Sequence, residues 1–167
     1  MIETDMQTHR PPFSIAKTGF GALAWSAAMA AAAAASLVWR RDWALDGQAA
    51  LLLAIFAGGG FLGFPAARFL LDRFLPGNWQ ATRRFSAAFL LFGAATVGFT
   101  ALLFAIQFRT YYAQWHAGPG SVRFYFETFF TILSACYQFL VLGLRIYIPF
   151  GLAALIVASL GYAQRRI

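Results

Sequence analysis

Apolar residues run through this chain in four long blocks separated by short polar breaks. Residues 18–39 give 22 positions without a charge, and residues 48–67 give a second uncharged block. Residues 86–108 form a third of 23 positions, and residues 128–163 a fourth of 36 whose single charge is Arg145. A helix needs about 20 apolar residues to cross the hydrocarbon of a bilayer. Lipid admits only elements that satisfy their own backbone groups. The pattern therefore predicts an all-α fold, a polytopic transmembrane bundle of four spans, with short tails at 1–17 and 164–167.

The blocks differ in character. The first is rich in alanine and follows Arg10, Pro11, Pro12 and Lys17, which gives it some look of a secretory signal. Its long polar lead favours a retained helix. The second contains Gly58, Gly59, Gly60, Gly63 and Pro65, which weaken a helix. Two readings follow: a kinked helix packed closely on a neighbour, or a broken helix lining a cavity. Small residues recur in the third block at Ala87, Ala94, Gly98, Ala101 and Ala105, on one helical face. Such a stripe lets backbones approach and marks a helix contact, within the chain or with another protein. A second stripe, Gly151, Ala154, Ala158 and Gly161, closes the fourth block.

That fourth block is too long for one simple crossing. Its 36 residues would reach about 54 Å as a helix, against about 30 Å of hydrocarbon. Either one long helix crosses once with a kink near 149–151, or the chain folds back near 145–151 and makes a fifth span. Between the second and third blocks, Arg68, Arg73, Arg83 and Arg84 stand against Asp72, with a turn at Pro76, Gly77 and Asn78. Phe69, Leu70, Phe74 and Leu75 give this stretch the look of a short interfacial helix. Its arginines are expected to contact anionic lipid headgroups. Tyr111, Tyr112, Trp115, Phe124 and Tyr125 read as an aromatic belt on the other side.

Composition removes the soluble alternatives. Of the 167 residues, 60 % are hydrophobic and 11 % charged, where globular domains carry roughly 25 %. The net charge of +7 would suggest nucleic acid in a soluble chain, but here arginines flank apolar runs. No nucleic acid partner is expected. With four spans, eight basic residues (Arg10, Lys17, Arg68, Arg73, Arg83, Arg84, Arg165, Arg166) fall on one side and four (Arg40, Arg41, Arg109, Arg123) on the other. That split predicts both termini in the cytoplasm, and the setting is read as a bacterial inner membrane. Five spans would leave six against six, without a bias.

Candidate chemistry is sparse. No phosphate loop, nucleotide fingerprint, nucleophile elbow or metal-ligand spacing occurs, so no cofactor, metal or enzymatic activity is expected. Cys136 is single and reads as a small buried hydrophobe. Arg145 stands out as an intramembrane charge that either snorkels to an interface or meets a partner or ligand. Glu127 would pair with Arg123 on a helix, or with Arg145 after a fold-back. A straight helix would hold Glu127 and Arg145 about 27 Å apart. Ser134 and Gln138 share a face and can bond a neighbouring helix. The expected function is an accessory or structural subunit of a larger membrane complex, acting by helix association with other subunits or with itself. One alternative is a small oligomeric channel or transporter that meets an anionic solute at Arg145. A further one is a lipid-active enzyme, which requires Glu127 and His116 to converge.

Overall fold

The computed structural model describes residues 15–41, 46–75 and 80–164. Five α-helices account for most of these residues: α1 (Ile15–Arg41), α2 (Gly47–Phe74), α3 (Ala81–Tyr112), α4 (Val122–Gln138) and α5 (Phe150–Gln164). No strand occurs among them. Four segments are long and apolar enough to cross a membrane: Ala16–Trp39, Gly47–Phe74, Ala81–Trp115 and Val122–Ile146. The chain is an integral membrane protein of the helical, multi-pass kind. Arg10, the Pro11–Pro12 boundary, Asp42, Trp43, the turn at Pro76, Gly77 and Asn78, and Arg165 and Arg166 lie outside the described residues.

The helix ends follow local chemistry. Asp46 caps α2 by accepting the Ala49 N–H at 2.9 Å, and Ser121 caps α4 by accepting the Phe124 N–H at 3.1 Å. At its other end α2 runs on to Phe74, past the expected boundary at residue 67. Leu75 then turns extended, as the residue before a proline prefers. Phe69, Leu70 and Phe74 therefore continue the second span. They do not form a separate interfacial helix, because no breaker interrupts the stretch before Pro76.

α2 packs on both α1 and α3. Ser26 on α1 donates to the Ala57 carbonyl on α2 at 2.8 Å. On the other side, a Cβ at Gly63 would fall 2.7 Å from Thr96 Cα, and one at Gly59 would fall 2.8 Å from Thr100 Cα. Gly60 faces α1 in the same way, with Met29 Cγ at 3.0 Å from its missing Cβ. Of the two readings of the glycine run, close packing is what the structure shows. α2 passes through Gly58, Gly59, Gly60, Gly63 and Pro65 without interruption.

The fourth block makes a single traverse. α3 meets it in reverse order along its length: Arg109 with Thr128, Phe104 with Phe139, Thr100 with Tyr147, Gly93 with Leu155, Arg84 with Tyr162. Residues 122–164 thus run steadily antiparallel to α3, and the fold-back expected as an alternative does not occur. The traverse is broken in its middle. A wide π-type turn at Phe139–Gly143 leads to a tight 3-10 turn at Leu144–Ile146, then a cis Ile148–Pro149 peptide. α5 restarts at Phe150.

Gly59 and Gly98 make a clean contrast on this basis. Gly59→Ala forces α2 away from α3 and is expected to destabilise the protein by about 1–3 kcal/mol. Gly98, with open space around its Cβ position, is expected to accept alanine with no loss. Thermal unfolding of the two purified variants, followed by size-exclusion profile, checks this.

Candidate functional site

The break in the fourth traverse gathers most of the polar chemistry found inside the bundle. Thr96 and Thr100 stand one turn apart on α3, both buried. Trp25 on α1 donates its indole N–H to Thr96 Oγ1 at 2.9 Å. Thr100 Oγ1 donates to the Thr96 carbonyl at 2.8 Å, which leaves its lone pair for the Tyr147 hydroxyl at 2.7 Å. Tyr147 is therefore the donor in that last bond. The chain Trp25–Thr96–Thr100–Tyr147 ties α1, α3 and the broken segment together at mid-depth. Ring contacts reinforce it: Tyr147 lies 4.7 Å from Phe56, and Phe139 lies 6.0 Å from Phe104.

A crevice of about 260 Å³ opens beside this network, between α1, α3 and α5. Met29, Phe92, Val97, Leu144, Ile148 and Leu155 are among its walls. The polar atoms of Trp25, Thr96 and Tyr147 are spent on one another. A buried water needs two to four polar partners, and this crevice offers none to spare. It is an apolar recess whose rim carries the half-exposed Ile148.

Arg145 sits in the same segment, one turn before Ile148. It is exposed, and its side chain makes no hydrogen bond or ion pair among the described residues. Its neighbours Tyr147 and Thr100 place it near the middle of the bundle, since Thr100 lies well inside the 32-residue α3. Insertion scales assign about 2.5–3.5 kcal/mol to an arginine at such depth. Glu127 does not relieve it. That carboxylate accepts from Arg123 Nε at 2.7 Å and from the Ala117 N–H at 2.8 Å, holding the loop between α3 and α4 to α4. The helical pairing with Arg123 is thus the one found. His116 reaches Thr131 Oγ1 at 3.3 Å, and Thr131 bonds the Glu127 carbonyl at 2.6 Å. The loop therefore brings His116 and Glu127 to one end of α4. Among the described residues, no group of three potential metal ligands forms.

The small-residue stripes divide. On α3, Ala105 is buried, and Ala87 and Ala101 pack against the core, whereas Ala94 and Gly98 face outward. On α5, Gly151 is buried under the Tyr147 ring, and Ala154 and Ala158 pack inward. Gly161 is exposed with open space around it. The arginines divide as well. Arg73 and Arg83 are exposed at the helix ends. Arg68 bonds Asp72 at 3.4 Å and lies over the Tyr162 ring. Arg84 departs from the expected headgroup contact. It is buried, donates to the Tyr162 carbonyl at 3.3 Å and stacks over the same ring. It anchors the end of α5 by donating to a carbonyl in that helix's last turn.

The Thr96–Thr100–Tyr147 network escaped sequence reading. Its signal was the i, i+4 threonine pair facing two glycines spaced four apart. Ser134 and Gln138, read as polar glue, are both exposed on α4. Comparison with family models, curated proteins and solved structures finds no match to this chain.

The Thr100–Tyr147 bond is testable directly. Hydrogen bonds between transmembrane helices are worth about 0.6 kcal/mol on average and up to about 1.7 kcal/mol. A double-mutant cycle of Thr100→Val and Tyr147→Phe is expected to give coupling in the upper half of that range. Unfolding in mixed micelles measures it.

Proposed function

We propose that this protein works by association, as an accessory or structural subunit of a membrane complex. The observation that carries the reading is the outward face of α3. Ala94 and Gly98, four residues apart, are exposed midway along a spanning helix, with Leu90 and Leu102 projecting on either side. A Cβ on Gly98 would meet nothing within 4 Å. Small residues at that spacing let a second helix approach closely, and dispersion gained by close packing drives helix association in lipid. The chain's own helices leave this notch open. The basic ends at Arg73 and Arg83 suit the cytoplasmic leaflet, and the reading takes both termini to face the cytoplasm of a bacterial cell.

A second reading, anion transport by an oligomer, draws on the exposed Arg145. The crevice beside it is apolar, with no polar group free to line a solute path, which favours a contact surface.

The test is native mass analysis of the protein extracted gently from its own membrane. The expected result is an oligomer or a stoichiometric complex that Gly98→Leu weakens at least tenfold while leaving the fold intact. A strict monomer that copurifies with nothing overturns the proposal.

A further inference from the structure

Three polar side chains on the fourth traverse face outward at depths where lipid offers them nothing. Ser134, Gln138 and Arg145 follow one another at spacings of four and seven residues, and all three are exposed. Large apolar side chains surround them, with Leu133, Tyr137, Leu140 and Leu142 all exposed. An exposed polar row within a hydrophobic surface is how one membrane helix marks its contact with another. A charge in that row specifies what the other helix must carry.

From this we infer that the outward face of residues 134–148 docks a transmembrane helix of a different protein, one that presents an Asp or Glu to Arg145 at mid-membrane depth. The inference rests on the association reading above and names the chemistry of the partner. Charge complementarity is the first argument, because intramembrane charges are held by pairing. The second concerns a second copy of this chain. Among the described residues the carboxylates are Asp46, Asp72 and Glu127. Asp46 caps the start of α2, Asp72 lies in its last turn, and Glu127 is tied to the loop between α3 and α4. None of these three stands at the depth of Arg145, so none of them in a parallel copy can neutralise it. The third argument is the crevice. Its rim residue Ile148 is one turn from Arg145, so a helix seated with its carboxylate on Arg145 brings the next turn over the opening. A large apolar side chain three or four residues from that carboxylate would fill the recess. The partner's signature is an acidic residue with Phe, Leu or Met one turn away, inside an otherwise apolar span.

The experiment uses the full-length protein in phosphatidylcholine vesicles and a synthetic leucine-rich peptide of about 20 residues. One peptide carries a central Glu with Phe four positions away. A second has Gln for Glu, a third Leu for Glu, and a fourth keeps Glu but has Ala for Phe. Binding is read by energy transfer between labelled protein and peptide. The Glu peptide is expected to bind at least tenfold tighter than the Leu peptide, and the Ala version to lose part of that gain. Arg145→Leu should abolish the preference, and Arg145→Lys should keep some of it. Arg145→Leu should also unfold no earlier than the parent, since the Arg145 side chain bonds nothing among the described residues. Equal binding of the Glu and Leu peptides overturns the inference, as does a Glu preference that survives in Arg145→Leu. Retention of an anionic lipid that Arg145→Leu releases, without any peptide preference, also overturns it and assigns Arg145 to lipid. If Gly98→Leu breaks the native assembly while the peptides bind alike, only the docking inference falls. If the Glu peptide is preferred but the native protein is a monomer, the α3 reading falls instead.

Discussion

The closest approach in the bundle is the one between α2 and α3, and the rest of the structure depends on it. Gly59 and Gly63 present bare backbone to Thr100 and Thr96, so two helix backbones meet with no side chain between them on one partner. In lipid no hydrophobic effect drives helices together, and dispersion over a close contact takes that role. The approach also sets where the threonine hydroxyls stand. With α2 pressed against one side of α3, Thr96 and Thr100 offer their oxygens to Trp25 and Tyr147. A bulkier α2 would shift α3 away from both partners at once.

The same threonines explain how the bundle tolerates a break in its fourth traverse. A helix interrupted in hydrocarbon exposes backbone groups that must find partners. Here the widened and tightened turns reuse them locally: Tyr147 N–H bonds the Leu144 carbonyl at 3.2 Å, and Leu152 N–H bonds the Tyr147 carbonyl at 3.1 Å. The Tyr147 hydroxyl then secures the segment to α3, and Phe139 and Ile146 bury themselves in the main core. Arg145, Ile148 and Pro149 remain outward, beside Leu140, Val141 and Leu142. The break thus turns an ordinary lipid-facing surface into one with a charge and a recess.

The fold class and the four traverses were legible in the sequence because each apolar block is long, carries at most one charge and is flanked by charged residues. Close packing was one of two readings the glycine run offered, and the structure selects it through Gly59 and Gly63. Which face each small residue takes was not. Ala87, Ala94, Gly98, Ala101 and Ala105 share one side of an ideal helix, yet the buried row of α3 is Arg84, Ala88, Phe92, Thr96 and Thr100, stepping by four. Such a row winds around the helix, so one stripe meets the core at its ends and opens outward at its centre. Arg84 shows a related gap. Its neighbours in sequence mark it as a headgroup ligand. Only the return of the chain end at Tyr162, 78 residues later, gives it an interior partner.

The break has a consequence for how the chain crosses the membrane. α5, at 15 residues, reaches only about 22 Å and is too short to cross alone. It depends on α4 to begin the crossing that it finishes. Because the two meet at the depth of Thr100, no turn there can reach water on either side. Residues 122–164 therefore make their crossing as one unit, lined along its length by α3.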